Sequence, residues 1–308
     1  MKLRKIFIAG QEGMVGSSIY NLLKSKNLDV IKCSRKDLDL TSQNEVNNWF
    51  KKNKPEIVIN AAGRVGGILD NSLYQPDYIY INTAIGFNLL HASLNHKIKK
   101  FINLGSACVY PKFTKQPIKE KYLLSSYLEK SNEAYAIAKI SIIKYAEYIK
   151  LFLKKDFISL QPANLYGEGD NFNLKSSHVI PALIRKFHEA KINNKKSVEV
   201  WGSGNPKREF MHVNDLAEAV YFCLKKKISQ SYLNVGSNHH ISIKQVAKII
   251  QNITQYKGKI LFNKKYPDGV KYRKLDSTLI NSLGWKSKIS FEKGIKDYYT
   301  YFKKLRLK

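Results

Sequence analysis

Cysteine is the first thing this chain has little of. Cys33, Cys108 and Cys223 are odd in number and far apart in 308 residues, and none forms a C-x-x-C pair. A disulfide framework and a zinc site are therefore not expected, no other metal site stands out, and a reducing cytoplasm fits. Long apolar runs are absent as well: no stretch of about 18 hydrophobic residues occurs, so no membrane-spanning helix is expected. The opening Met1-Lys2-Leu3-Arg4-Lys5-Ile6 enters a strand-like stretch at once, without an apolar leader or a small-residue cleavage site, and no signal peptide is expected. Acids are scarce, 24 against 53 basic residues, for a net charge of +29. Arginine is scarcer still: seven of the basic residues are Arg and 46 are Lys, spread along the whole chain. Readers of nucleic acid favour the planar arginine fork, often interleaved with exposed aromatics. Dispersed lysine reads instead as solvated surface, and no nucleic-acid partner is expected. A positive field of this kind still attracts small anionic ligands.

What is present is enough apolar material, 44% of residues, for a full core and more than most single domains use. Short β-rich runs alternate with longer amphipathic stretches in the first half. The runs are Lys5–Ala9, Asp29–Cys33, Glu56–Asn60, Lys100–Leu104 and Phe157–Gln161; the helical stretches are Val15–Lys26, Ser42–Asn53, Pro76–Leu94 and Glu133–Leu153. Right-handed crossovers would gather these strands into one parallel sheet with helices on both faces. After Asn164 the rhythm changes. Helices at Val179–Lys191, Val213–Lys225 and Ile243–Ile253 are separated by irregular, Gly- and Asn-rich stretches. The expected fold is α/β: a Rossmann-type doubly wound parallel sheet over residues 1–164, with a smaller C-terminal α/β substrate-binding lobe that takes up most of 165–308.

The first run leads into Gly10-Gln11-Glu12-Gly13-Met14-Val15-Gly16, a G-x-x-G-x-x-G turn with a strand before it and an amphipathic helix after it. Glycines there permit a tight turn and close approach of backbone to a pyrophosphate, which a helix N-terminus attracts. The second strand ends in Ser34-Arg35-Lys36-Asp37. A site for NAD usually places an acid at this strand end to bind the ribose 2′-hydroxyl, whereas cations suit the 2′-phosphate of NADP. Arg35 and Lys36 favour NADP(H); Asp37 and Asp39 keep NAD open.

The strand Lys100–Leu104 runs into Gly105-Ser106-Ala107-Cys108, and Tyr135 and Lys139 stand downstream at helical i,i+4 spacing, on one face. A nearby ammonium is expected to stabilise the phenolate and lower the phenol's pKa from its usual value near 10. Such a tyrosine can give a proton to a carbonyl oxygen as hydride reaches the carbon, with Ser106 holding that oxygen.

With these motifs in this order, the chain resembles the extended short-chain dehydrogenase/reductases and, within them, the GDP-L-fucose synthase family. The likeness runs from Gly10 to about Trp285. It rests on Ala61-Ala62-Gly63-Arg64-Val65-Gly66-Gly67-Ile68, Gly105 to Pro111, Asn132 to Lys139, Pro162 to Gly167 with Asp170-Asn171-Phe172, Ser177 to Leu183, and Val200 to Gly204 with Arg208-Glu209-Phe210. The resemblance implies NADPH-dependent reduction of the C4 ketone of a GDP-4-keto-sugar, with epimerisation at C3 and C5, by a cytoplasmic homodimer. It makes Tyr135, Lys139 and Ser106 the reductase trio and Cys108 and His178 the epimerisation acid and base. The cofactor would lie against Gly10, Gln11, Gly13, Met14, Val15, Gly16, Arg35, Ala61, Ala62, Leu104, Gly105, Lys139, Pro162, Ala163, Asn164, Leu165 and His178. Lys186, Trp201, Arg208 and Asp276 would contact the GDP-sugar.

Four places depart from the family's pattern: Glu12 in the glycine turn, Ala107, Gly63-Arg64, and Glu168-Gly169. Glu12 removes a cation from beside the cofactor phosphates and leaves NADPH against NADH open. The other three leave the sugar open between a deoxyhexose and another keto-sugar such as a heptose, and leave open a reductase without epimerase activity. A 4,6-dehydratase would carry an Asp-Glu pair where Ala107-Cys108 stand. A 4-epimerase would retain its cofactor through purification. A non-catalytic polyanion-binding protein would have no chemical use for Ser106, Tyr135 and Lys139 together.

Overall fold

The computed structural model describes residues 5–306 apart from Lys175, Pro267 and Gly269. In the first half, the elements run β1 (Ile6–Ala9), α1 (Met14–Ser25), β2 (Val30–Ile31), α2 (Gln43–Asn53), β3 (Ile57–Asn60), α3 (Ile68–Leu73), α4 (Gln75–Asn95), β4 (Lys100–Leu104), α5 (Glu133–Leu153) and β5 (Asp156–Pro162). Then follow β6 (Asn164–Tyr166), α6 (Val179–Ile192), β7 (Ser197–Trp201), β8 (Lys207–His212), α7 (Val213–Lys225), β9 (Tyr232–Val235), β10 (His240–Ser242), α8 (Ile243–Thr254), β11 (Lys259–Asn263), β12 (Tyr272–Arg273), α9 (Thr278–Ser282) and α10 (Phe291–Arg306).

A six-stranded sheet in the order β2-β1-β3-β4-β5-β9, parallel throughout, forms the centre. Its strands are apolar on both faces, as burial between two helical layers demands. Ile8, Ile59, Ile102 and Leu160 face a core shared with α1 and α7, while Phe7, Val58, Phe101 and Phe157 face one shared with α2, α4 and α5. The expected doubly wound sheet is thus present, and its helices fall within a residue or two of the apolar periodicity. β2 is shorter than its apolar run. The Ser34 N–H and hydroxyl both donate to the Asp37 carboxylate (2.7 Å each), a local turn that competes with strand pairing.

The chain does not stay in the second lobe after residue 164. Helix α7 packs against α1, and β9 completes the central sheet beside β5. The residues left for the smaller lobe are α6, α8, α10 and short strands around a third core that includes Phe187, Phe210, Tyr298 and Phe302. Its strand β8 pairs with β6, β10 and β12 and so reaches back over the carboxyl edge of the large sheet.

Candidate active site

The order of the central sheet reverses between β1 and β3, the place where open α/β sheets form a ligand crevice. Gly10 turns there with φ +78°, and a Cβ on it would stand 2.7 Å from the Ala62 Cα. Gly16 is just as constrained, since its Cβ would fall 2.0 Å from the Gly10 carbonyl oxygen. These two glycines are required by the protein itself. Gly13 is different: a Cβ there would meet nothing nearer than 3.5 Å, so the space in front of it is open. Gly13 is the N-cap of α1 and supplies no side-chain cap, and the first turn carries no acid. The helix therefore presents bare N–H groups, a fit for a phosphate group. Met14 and Val15 form its first turn, and Gln11 contributes a buried side-chain oxygen without a partner among the described residues.

The loop after β2 leans on this turn. The Glu12 carboxylate accepts the Arg35 backbone N–H (3.2 Å), so its charge is spent on fixing the Arg35 loop. Asp37 is held by Ser34, and Asp39 by the Thr41 N–H and hydroxyl (2.8 and 2.7 Å). The hydrogen bonds from Ser34 and Thr41 keep both carboxyls below the usual range, locked into turns of their own.

At the carboxyl end of β4, Tyr135 and Lys139 come together on α5. Both are buried, with the Lys139 ammonium 5.8 Å from the Tyr135 ring centroid and donating to the Leu104 carbonyl (3.1 Å). The Ser106 hydroxyl accepts the Cys108 N–H (3.2 Å) and lies near enough to the Tyr135 phenol to favour its ionisation. Burial, with Cys108 adding to it, pushes the Tyr135 phenol up against this effect. Desolvation brings Lys139 down to about 8. The expected lowering of the phenol is not what this arrangement gives, because burial outweighs an ammonium already committed to a backbone carbonyl. The consequence is a tyrosine that is fully protonated at neutral pH, the form that can donate.

His178 is the N-cap of α6 and exposed, with Asp170 as a charged neighbour. The Gly63–Gly67 loop connects the two ends of the site. A Cβ on Gly63 would stand 3.5 Å from the Lys139 ammonium, and the Gly67 N–H donates to Ser176 two residues before His178 (3.1 Å). Pro162 closes β5, the Ala163 N–H donates to Val235 (2.9 Å), and the Asn164 amide donates to the Glu209 carbonyl (2.9 Å), with Leu165 next in β6.

Across the cleft, Lys186 on α6 donates to the Glu199 carbonyl (3.1 Å) and lies 4.9 Å from the Trp201 ring centroid. Trp201 stacks on Tyr266 at 4.3 Å and 12°. The turn after Trp201 is clasped by Asp268, which accepts the Ser203 N–H (2.7 Å) and hydroxyl (2.6 Å). Arg208 on β8 feels Asp268, Arg273 and Cys108, which brings this cluster to the edge of the Ser106–Cys108 turn. Asp276 belongs to a different neighbourhood. Its carboxylate caps the Thr278 N–H (2.9 Å), and its backbone is tied to Ile118 and Asn234.

A family model described as the NAD dependent epimerase/dehydratase family matches residues 6–236. The chain belongs to this family. It is 44% identical to a putative GDP-L-fucose synthase 2 of Arabidopsis thaliana, over 98% of this chain and 92% of the relative. Among solved structures it resembles a GDP-6-OMe-4-keto-L-xylo-heptose reductase of Campylobacter jejuni (TM-score 0.93, 34% identity, covering 99% of each chain). It also resembles MlghC, a GDP-mannoheptose C4 reductase of the same organism with NADP bound (TM-score 0.90, 34% identity, covering 98% of this chain and 99% of that one).

In this member of the epimerase/dehydratase family, several site residues escaped the motif reading. Gln161 accepts the Ser106 N–H (3.1 Å) and fills the space a Cβ on Gly105 would need, 1.8 Å from its Oε1. Its signal was present: Ser159 and Gln161 are polar in an otherwise apolar strand, as are Asn60 and Asn103, and a buried ladder joins Asn60, Asn103 and Ser159. Tyr78, buried and bonded to Asp70, stands edge-on to Tyr135 at 6.1 Å. Arg273, beside Arg208, had no local signal at all.

Proposed function

We propose that this chain reduces the C4 ketone of a GDP-4-keto-sugar with NADPH and first epimerises C3 and C5, as a homodimer in the cytoplasm. The observation that carries the reading is the convergence of Ser106, Cys108, Tyr135 and Lys139 at one strand end, with Arg208 facing them from the other lobe. The names of its relatives, synthases and reductases of GDP-linked sugars, supply the substrate class. The glycine turn and the bare N-terminus of α1 would hold the cofactor pyrophosphate, and Arg35 with Lys36 the 2′-phosphate. Their neighbouring acids are turned aside, and one relative carries NADP.

When bound, NADPH supplies the hydride for C4. The Tyr135 hydroxyl gives its proton to the ketone oxygen, and Ser106 fixes that oxygen by a hydrogen bond. The phenolate left behind is stabilised by the Lys139 ammonium, which desolvation leaves able to return a proton near neutral pH. Before reduction, the C4 ketone acidifies the hydrogens on C3 and C5, and Cys108 and His178 exchange protons there. Lys186 and Arg208 serve the diphosphate and Trp201 a ring of the ligand. The unpartnered aromatic surface of α4 and α5, with Tyr80 69% and Phe152 77% exposed, supports pairing of two copies through these helices. Light scattering of the protein and of a Tyr148→Glu/Phe152→Glu variant tests that pairing.

The deciding experiment incubates the protein with NADPH and a panel of GDP-4-keto-sugars in deuterated water and follows the products by NMR. Reduction with deuterium at C3 and C5 is expected. Absence of NADPH oxidation with every member would overturn the reading. Reduction without deuterium uptake would select a second reading, a reductase without epimerase activity, which the likeness to two heptose reductases favours.

A further inference from the structure

We propose that Arg273 is a positioning residue that ties the diphosphate end of the substrate site to the turn carrying Ser106 and Cys108. The inference rests on the function proposed above. Arg273 ends the two-residue strand β12, in parallel register with β8 and directly opposite Arg208. Its guanidinium donates through Nη1 to the Ala107 carbonyl (3.1 Å) and through Nη2 to the carbonyls of Tyr110 (3.3 Å) and Pro111 (3.1 Å). Three acceptors in one segment, reached through two nitrogens, match the fork geometry of arginine.

The segment it holds is packed into the core by Val109 and Tyr110 but has weak backbone bonds of its own. The turn from Ala107 to Val109 is a single 3-10 turn with long backbone bonds, Val109 N–H to Ser106 at 3.3 Å and Tyr110 N–H to Ala107 at 3.4 Å. Its far end is anchored by the buried Tyr110 hydroxyl on Asn234 (2.6 Å). Gln161 holds the Ser106 N–H at the near end. Between these points the carbonyls of Ala107, Tyr110 and Pro111 are gathered by a clamp that arrives from about 160 residues away in sequence. The strand bearing the clamp is itself pinned, since Lys274 and Asp276 bracket Ile118 with two backbone hydrogen bonds of 2.8 Å.

Arg208 gives the clamp a reason to respond to substrate. Among the described residues no carboxylate pairs with either guanidinium, and the oxygens of Asp268 are taken up by Ser203. Two adjacent, partly buried cations repel each other, and an anion between them removes that repulsion. A sugar joined through a diphosphate would therefore favour the arrangement in which Arg273 holds the turn, and reaction geometry at C4 would follow binding at the phosphates.

The test compares Arg273→Gln and Arg273→Lys with the unaltered protein. Turnover should fall about 10- to 100-fold in both, the cost of a slightly misplaced catalytic group, with the GDP-sugar KM changed far less and NADPH binding and melting temperature retained. Labelling of Cys108 by iodoacetamide, read by intact mass, should be several-fold faster in both variants; Cys33 and Cys223 are buried and serve as internal controls. If Arg273→Gln does not fold, Arg273→Lys carries the test alone, because a single ammonium lacks the two spaced nitrogens that reach these carbonyls. Normal turnover in Arg273→Lys, a loss confined to KM, or unchanged labelling of Cys108 would each overturn the proposal. If the unaltered protein reduces no GDP-keto-sugar, the proposed function fails, and the labelling rates still decide whether Arg273 holds the turn.

Discussion

At the switch between β1 and β3 the site is made almost wholly of backbone, whereas across the cleft, on α6, β7, β8 and β12, it is made of long side chains. On the first side Gly10 and Gly16 admit no Cβ, and the polar groups on offer are the N–H groups of a helix end. On the second, Lys186, Trp201, Arg208 and Arg273 arrive from separate elements and are held by stacking and carbonyl contacts. Backbone geometry is fixed by the fold and changes little when a ligand binds. A side-chain wall can be rebuilt one residue at a time. The difference fits the division of tasks proposed above: the cofactor on the side where the chain is rigid, and the sugar nucleotide on the side where substitution is cheap.

The sharpest way to break this division is at the residue between the two sides. Tyr135→Phe removes only the hydroxyl proposed as proton donor, so turnover should drop about 10²- to 10⁴-fold while NADPH still binds in a fluorescence titration. Turnover within a few-fold of normal would take Tyr135 out of the donor role. The glycine turn gives the next largest contrast. Gly16→Ala drives a methyl into the Gly10 carbonyl and should cost at least about 1–3 kcal/mol of stability by chemical denaturation. Gly13→Ala has room within the protein and should cost less than about 1 kcal/mol, yet weaken NADPH roughly tenfold. Equal effects of the two substitutions on folding would mean that the space before Gly13 is not the cofactor's.

A pH profile probes the hinge between the two sides with a smaller effect. Desolvation lowers Lys139 to about 8, so its charge is complete below that pH and lost above it, while Tyr135, raised by burial, stays protonated throughout. Reduction should therefore hold level from pH 6 to about 7.5 and fall above about 8, roughly tenfold per pH unit. A rate that stays level to pH 10 would show that the ammonium does not contribute.

The same contrast governs how much could be read before the fold was known. The turn at Gly10, the helix after it and the pair Tyr135–Lys139 are local patterns, with period and spacing visible in a dozen residues. The ladder Asn60–Asn103–Ser159 was half visible, as polar residues inside apolar strands, but their meeting depends on sheet order. β9 escaped because Tyr232–Val235 is a short strand in an irregular stretch, and nothing local says that it returns to the first sheet. Arg273 was invisible for a stronger reason. Its partners lie on a turn far away in sequence, and one arginine among so many cations carries no mark. The Tyr135 phenol was misjudged because spacing reports a neighbouring ammonium but not the burial of both groups, and burial sets the sign here.

On the side-chain wall the effects should be smallest and confined to binding. Trp201 is 47% exposed, with Tyr266 stacked on it and Lys186 close to its ring, so its removal opens no hole in a core. Trp201→Ala should leave melting temperature and NADPH affinity unchanged, and should raise the KM for the GDP-sugar about 2- to 10-fold, the range of one aromatic contact. The turnover number should stay within about twofold, since the ring touches nothing that moves a proton. A large loss in turnover would place the sugar ring itself, rather than the nucleotide end, against Trp201. The wall would then belong to the reacting centre, and the contrast between a rigid cofactor side and a replaceable substrate side would have to be redrawn along Arg208.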